Sequence, residues 1–159
     1  MGKPDDDEDD PLITESIVEA FRRARREARL PATPEAEAVG ALNELIGVLE
    51  SARELWERAA QAAGASELGD RLQAEADGME TEVASLSTAV RDFGGAPPTN
   101  PAREALPFSA RDLDYAGDDV AIEAGLATNR SHLVEARRRL AARPVSERAR
   151  ALLLGSGKS

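Results

Sequence analysis

Four side chains carry the metal chemistry that this sequence offers: Glu44, Glu75, Glu82 and His132. Carboxylate oxygens and imidazole nitrogens are the usual ligands of divalent ions. On a helix, Glu75 and Glu82 stand two turns apart on one face, beside an apolar line. Glu44 holds a similar edge in an earlier segment. His132 is the only histidine, which excludes multi-histidine zinc sites. It leads Glu135 in the order His-x-x-Glu, the reverse of the Glu-x-x-His pairs of di-iron bundles. The competing account pairs these carboxylates with arginines such as Arg71. No nucleophile–base arrangement can be named, so the sequence offers no catalytic residues and no cofactor beyond a metal ion.

A second kind of chemistry is anion binding. Arg22, Arg23, Arg25, Arg26 and Arg29 fall within eight residues, on the polar side of a helix predicted over 12–30. Its apolar stripe is Ile13, Ile17, Phe21, Ala24 and Ala28. The plainer account is a solvated face in which the arginines pair with Glu15, Glu19 and Glu27 at helical spacing. Alternatively, the acidic run Asp5 to Asp10 folds over them. Gly157-Lys158-Ser159 resembles the end of a phosphate loop. That motif needs a glycine where Leu152 stands, and a helix after the serine, so it is rejected.

Composition narrows the classes further. The chain has 159 residues, a formal net charge of −10 and no cysteine. Six of those charges lie in Asp5 to Asp10, leaving about −4 for the rest, which argues against general nucleic-acid binding. Without cysteine there is no disulfide framework and no thiolate chemistry. No apolar run reaches the length of a membrane span, and the acidic start is unlike a signal peptide. The expected location is the cytoplasm, with no membrane partner. Aromatic residues make up only 3%, so Ala and Leu must build a closely packed core.

The elements that position these residues are helices. Thr33-Pro34-Glu35 reads as a helix start: a capping hydroxyl, then a proline whose missing N–H costs nothing in the first turn. Behind it Ala38, Leu42, Leu45, Leu49, Ala52, Trp56, Ala59 and Ala63 alternate four and three residues apart, a helical seam. Gly64-Ala65-Ser66 predicts a tight turn, with Gly64 left-handed and Ser66 capping the next helix. That second arm carries Leu72, Ala76, Met79, Val83, Leu86, Val90 and Phe93, and Gly94-Gly95 ends it. So short a turn makes the arms antiparallel.

Prolines 97, 98, 101 and 107 mark 96–110 as a stiff linker, pinned by Leu106 and Phe108. A linker that long can cross from one end of a bundle to the other, so the next helix need not oppose the second arm. Asp118 or Asp119 starts a third long helix with the seam Ile122, Leu126, Asn129, Leu133, Ala136 and Leu140. Asn129 replaces an apolar residue there, as expected of a group that fixes register or satisfies backbone. His132 falls at the edge of this seam. Pro144 stops the helix, and Ser146 starts a short last one.

Several of these stretches resemble an uncharacterised bacterial ferritin-like family. They are Leu42-Asn43-Glu44-Leu45-Ile46, Ala59-Ala60, Leu68, Leu72 and Val90-Arg91-Asp92-Phe93-Gly94-Gly95-Ala96-Pro97. Asp119-Val120-Ala121-Ile122-Glu123 resembles the opening of that family's third helix. The resemblance spans about 41–140. It implies a four-helix bundle with a metal-related or stress-related role. The chain departs from the pattern in its short last helix and in the arginine-rich helix that precedes the first arm.

The sequence thus predicts an all-α chain, a helical hairpin completed to a four-helix, ferritin-like bundle. Residues 1–11 form an acidic disordered tail, 12–154 the bundle and 155–159 a flexible end. The expected role is a non-catalytic structural or protein-interaction protein. The alternatives are a metal-binding or metal-oxidising protein and an anion or nucleic-acid binder. Seams left open by the short last helix predict a homodimer built on Met79, Val83 and Leu86, with a further protein partner as an open role.

Overall fold

Residue Glu19 and residues 33–101 and 103–155 are described by the structure, a computed structural model. The acidic tail, the arginine helix apart from Glu19, and the end 156–159 lie outside the described residues. The chain divides after Thr33 into two units, the second beginning at Pro34. Five helices form this second unit: α1 (Pro34–Ala63), α2 (Glu67–Asp92), α3 (Ala110–Tyr115), α4 (Asp119–Ala141) and α5 (Glu147–Leu154). The described residues contain no strand.

Local chemistry sets these boundaries. The Ser66 side chain accepts from the Gly69 N–H and so caps α2. Gly64 supplies the left-handed residue of the turn, at φ 73°. A Cβ on Gly69 would stand 2.1 Å from the Gly64 carbonyl oxygen, so only glycine lets the two arms meet so closely. Gly94, at φ 89°, turns the chain out of α2. Asp118 caps α4 through the Ala121 N–H, and Ser146 caps α5 through the Ala149 N–H. Ser109 and Asp112 form a reciprocal capping box at α3.

The helix α1 is the centre. Its buried residues include Leu42, Leu45, Ile46, Val48, Leu49, Leu55 and Trp56, which is more than one stripe. A helix apolar over so wide an arc must be covered on several sides. α2 covers one side, antiparallel. The segment 96–109 then runs back along α1: Asn43 Nδ2–H donates to the Ala96 carbonyl at 3.1 Å. Farther along, the Glu104 N–H donates to Ser51 Oγ at 2.9 Å. This return sends α4 off in the direction of α2. Arg71, Glu75 and Glu82 of α2 accordingly meet Glu123, Arg130 and Arg137 of α4 in ascending order. The two helices are parallel, and α4 opposes α1.

Two apolar clusters result. One joins Leu42, Leu45 and Leu49 to Leu86, Val90, Leu140 and Leu153. The other joins Trp56 and Leu72 to Leu113, Ile122 and Leu126, with Leu106 and Phe108 of the return segment packed against it. This bears on the expected dimer surface. Leu86 is 1% exposed and belongs to the chain's own core. Met79 and Val83 are partly buried against that same core. The seam of α2 is therefore used within the chain: α4 and α5 reach it although α5 has only eight residues. Among the described residues there are three long and two short helices, with the linker 96–109 running along α1 as an irregular segment.

Candidate functional site

The acids nominated as ligands line the contacts of α4. Glu75, on α2, accepts two hydrogen bonds from the Arg130 guanidinium of α4, at 2.9 and 3.2 Å. Its Oε1 also accepts from Trp56 Nε1–H at 3.2 Å. The tryptophan is fully buried, and this bond satisfies its one polar atom. The Arg130 guanidinium lies 5.6 Å from the centre of the indole ring, within cation–π range. One residue from each long helix thus meets at a single polar knot. Arg71 bonds Glu123 at its rim, and Glu123 Oε1 is buried without a hydrogen-bond partner, 3.9 Å from Arg130.

Two turns along, Glu82 accepts from Arg137 Nη2 at 2.6 Å. The other branch of that guanidinium donates to the Leu153 carbonyl of α5 at 3.0 Å. Both side chains of this pair are less than one-fifth exposed, so the pair is shielded from solvent. Glu44 stands at the far end of α1, where Arg139 and Arg143 reach it at 3.3 and 2.8 Å. Neighbouring pairs add to the frame. Arg103 of the return segment bonds Glu54 of α1. Arg53 sits between Glu50 and Glu57, and its hydrogen bond to Glu50 is the main reason its guanidinium titrates above the ordinary value.

His132 is half-buried on α4. Its Nε2 lies 3.9 Å from Glu104, beyond hydrogen-bond reach though within ion-pair distance, and has no hydrogen-bond partner. It faces the return segment, whereas Glu44, Glu75 and Glu82 each hold an arginine elsewhere. Among the described residues no three His, Asp or Glu side chains are grouped to hold a metal ion. The set Glu44, Glu75, Glu82 and His132 does not fit one shared ion, because each carboxylate already carries its own guanidinium. Arg22, Arg23, Arg25, Arg26 and Arg29 lie outside the described residues.

Asn129 is fully buried and takes part in no such pair. Its amide donates to the Phe108 carbonyl and accepts from the Phe108 N–H, both at 2.9 Å. It satisfies backbone, as its place in the seam predicts. Two clefts lie at the described surface. One, of about 290 Å³, lies between α1 and the return segment, lined by Ser51, Leu55, Arg58, Glu104 and Leu106. The other, of about 350 Å³, lies between Gly78, Ser85 and Leu86 of α2 and Leu152 beside α5's end.

The arginines of α4 were the residues that spacing could have found. Arg130 and Arg137 are seven apart, as are Glu75 and Glu82. Two matched seven-residue ladders of opposite sign suit two helices lying side by side, in either direction, and only the structure shows that they pair in parallel order. Arg150 was also missed. It donates to the carbonyls of Ala141, Arg143 and Val145, closing the C-terminal end of α4.

No described helix is long and apolar enough to cross a membrane. Comparison with protein-family models, with curated proteins and with solved structures found no match. The ferritin-like resemblance therefore rests on its motif residues alone.

Proposed function

We propose that the chain is a non-catalytic helical interaction protein, working in the cytoplasm as a homodimer. The four-helix, ferritin-like plan belongs to this reading, with either the leading helix 12–30 or a second subunit completing the bundle. One observation carries it. The acids that could have gathered around an ion are bound instead to arginines that tie α4 to α1 and α2. Such pairs fix how helices sit against one another and offer no reacting atom. What remains for function is the outer surface of a braced scaffold.

The test is a metal titration of protein purified without a histidine tag. Calorimetry with Fe²⁺, Mn²⁺ and Zn²⁺, and elemental analysis of the purified protein, should show no stoichiometric ion. One ion per chain, released when Glu75 or Glu82 is changed to Gln, would replace this reading with a metal-binding one.

A further inference from the structure

The helix α4 has a second seam, and it faces outward. Val120, Ala124, Ala127, Ser131 and Val134 alternate four and three residues apart, as the buried residues of the same helix do. All five are exposed. Val120 is 77% and Val134 47% exposed, two of the four large hydrophobic residues at the described surface. A third, Tyr115, is 77% exposed and lies just before α4. A seam of this spacing covers itself by lying along another helix of similar spacing. Its small central residues let that helix come close.

We infer that this face of α4 is where a second copy of the chain docks, with the two α4 helices antiparallel. The direction follows from charge. Asp118 and Asp119 sit at the start of α4, and Arg138 and Arg139 lie in its last turn. A parallel pair would set acid on acid and arginine on arginine. An antiparallel pair sets Asp119 beside the partner's Arg138 and opposes the helix dipoles. The apolar spacing agrees. In that direction Ser131 falls opposite the partner's Ala127, and Val134 opposite the partner's Ala124. Arg138 continues the seam and reaches the partner's Val120. Tyr115 then comes to lie by the partner's arginine-rich end, a pairing of types common at interfaces.

The inference deepens the proposed role by naming the partner and the surface, and it moves the interface from α2 to α4. One helix pair buries an area near or below the roughly 1,200 Å² at which stable interfaces begin. The dimer is therefore weak, and its population rises with concentration.

Sedimentation of the full chain from micromolar to millimolar concentration tests it. The mean mass should climb from 16.9 kDa toward twice that value. Val134→Glu should weaken association at least about tenfold. Helical content and melting temperature should stay unchanged, because Val134 belongs to neither apolar cluster. Asp119→Arg and Arg138→Asp should each weaken association, and the double variant should restore it, which a parallel pair would not allow. The chain has no cysteine, so Ala127→Cys gives one reporter per copy. A short bis-maleimide should join two such chains, and should not join chains carrying Ser85→Cys on α2. A mass fixed at 16.9 kDa up to millimolar concentration overturns the proposal. So does a dimer that survives Val134→Glu, which would place the interface elsewhere. Neither result bears on the metal titration, so failure of this surface and failure of the non-catalytic reading are told apart.

Discussion

Asn129 and Phe108, twenty-one residues apart, exchange two hydrogen bonds of 2.9 Å as a backbone pair would. One buried amide thereby fastens the return segment to α4. Asn129→Leu would fill the seam with an apolar residue but leave the Phe108 N–H and carbonyl without partners. Each such group costs about 1–3 kcal/mol when shielded from water. We expect a net loss of about 2–4 kcal/mol in urea denaturation. A loss below about 0.5 kcal/mol would place the pair among ordinary surface contacts.

Two glycines should respond to alanine with opposite sign. Gly78 of α2 has nothing within 4 Å of a new Cβ, so Gly78→Ala should add about 0.5–1 kcal/mol from helix propensity. Gly125 of α4 lies under the Phe108 ring, and a Cβ there would stand 2.2 Å from ring carbons. Overpacking costs about 1–3 kcal/mol, which outweighs the propensity gain. Melting curves of the two variants decide it. Equal stabilisation would mean that Phe108 moves aside freely.

The one tryptophan reports on the knot at Glu75. Glu75→Ala removes the acceptor of the buried indole N–H and leaves Arg130 without its main partner. Both charged side chains are about one-third exposed, so the ion pair itself adds little, and the loss should be about 1–3 kcal/mol, mainly from the buried indole N–H left without its acceptor. Trp56 emission should shift in the folded protein. An unchanged spectrum would show that water takes the place of Glu75 at no optical cost.

Asp112 gives the acid response a local origin. The Ser109 N–H and then the Ser109 hydroxyl donate to its carboxylate and hold its pKa below the ordinary value. A depressed carboxyl adds stability above its unfolded pKa of about 3.9, and that stability is lost as pH falls through the lower folded value. The capping box of α3 should therefore open only below about pH 4. Carbon NMR of the carboxyl group should show this titration, and Ser109→Gly should raise its midpoint. A midpoint unmoved by that substitution would leave the backbone N–H of residue 109, which glycine keeps, as the source of the shift.

The helices α1, α2, α4 and α5 and their ends were legible in the sequence because each signal is local. The seam of α1, Gly64, Ser66, Asp118 and Ser146 act through neighbours within about a turn. The positions of Glu75 and Glu82 at the core edge were legible as well. Their partners were not, since Arg130 and Arg137 each lie fifty-five residues away. They arrive only because the return segment makes α4 parallel to α2. The burial of Leu86 within the chain's own core was not legible for a related reason. Seam length suggested an uncovered strip, but α5 and the end of α4 converge on that strip in three dimensions.

The return segment also sets the order in which this fold can assemble. α1 and α2 meet across a three-residue turn, so their contact closes a short loop and loses little chain entropy. α4 finds α1 only after the whole stretch from Gly94 to Asp118 has been laid back, and its contacts reward that closure last. The hairpin is thus the natural early unit, and α4 with α5 the layer that docks upon it. The same asymmetry holds in reverse. Amide hydrogens of α4 and α5 should exchange through a partial opening that leaves the α1–α2 hairpin protected. The helix that carries the outward seam would then be the one that leaves the scaffold most readily.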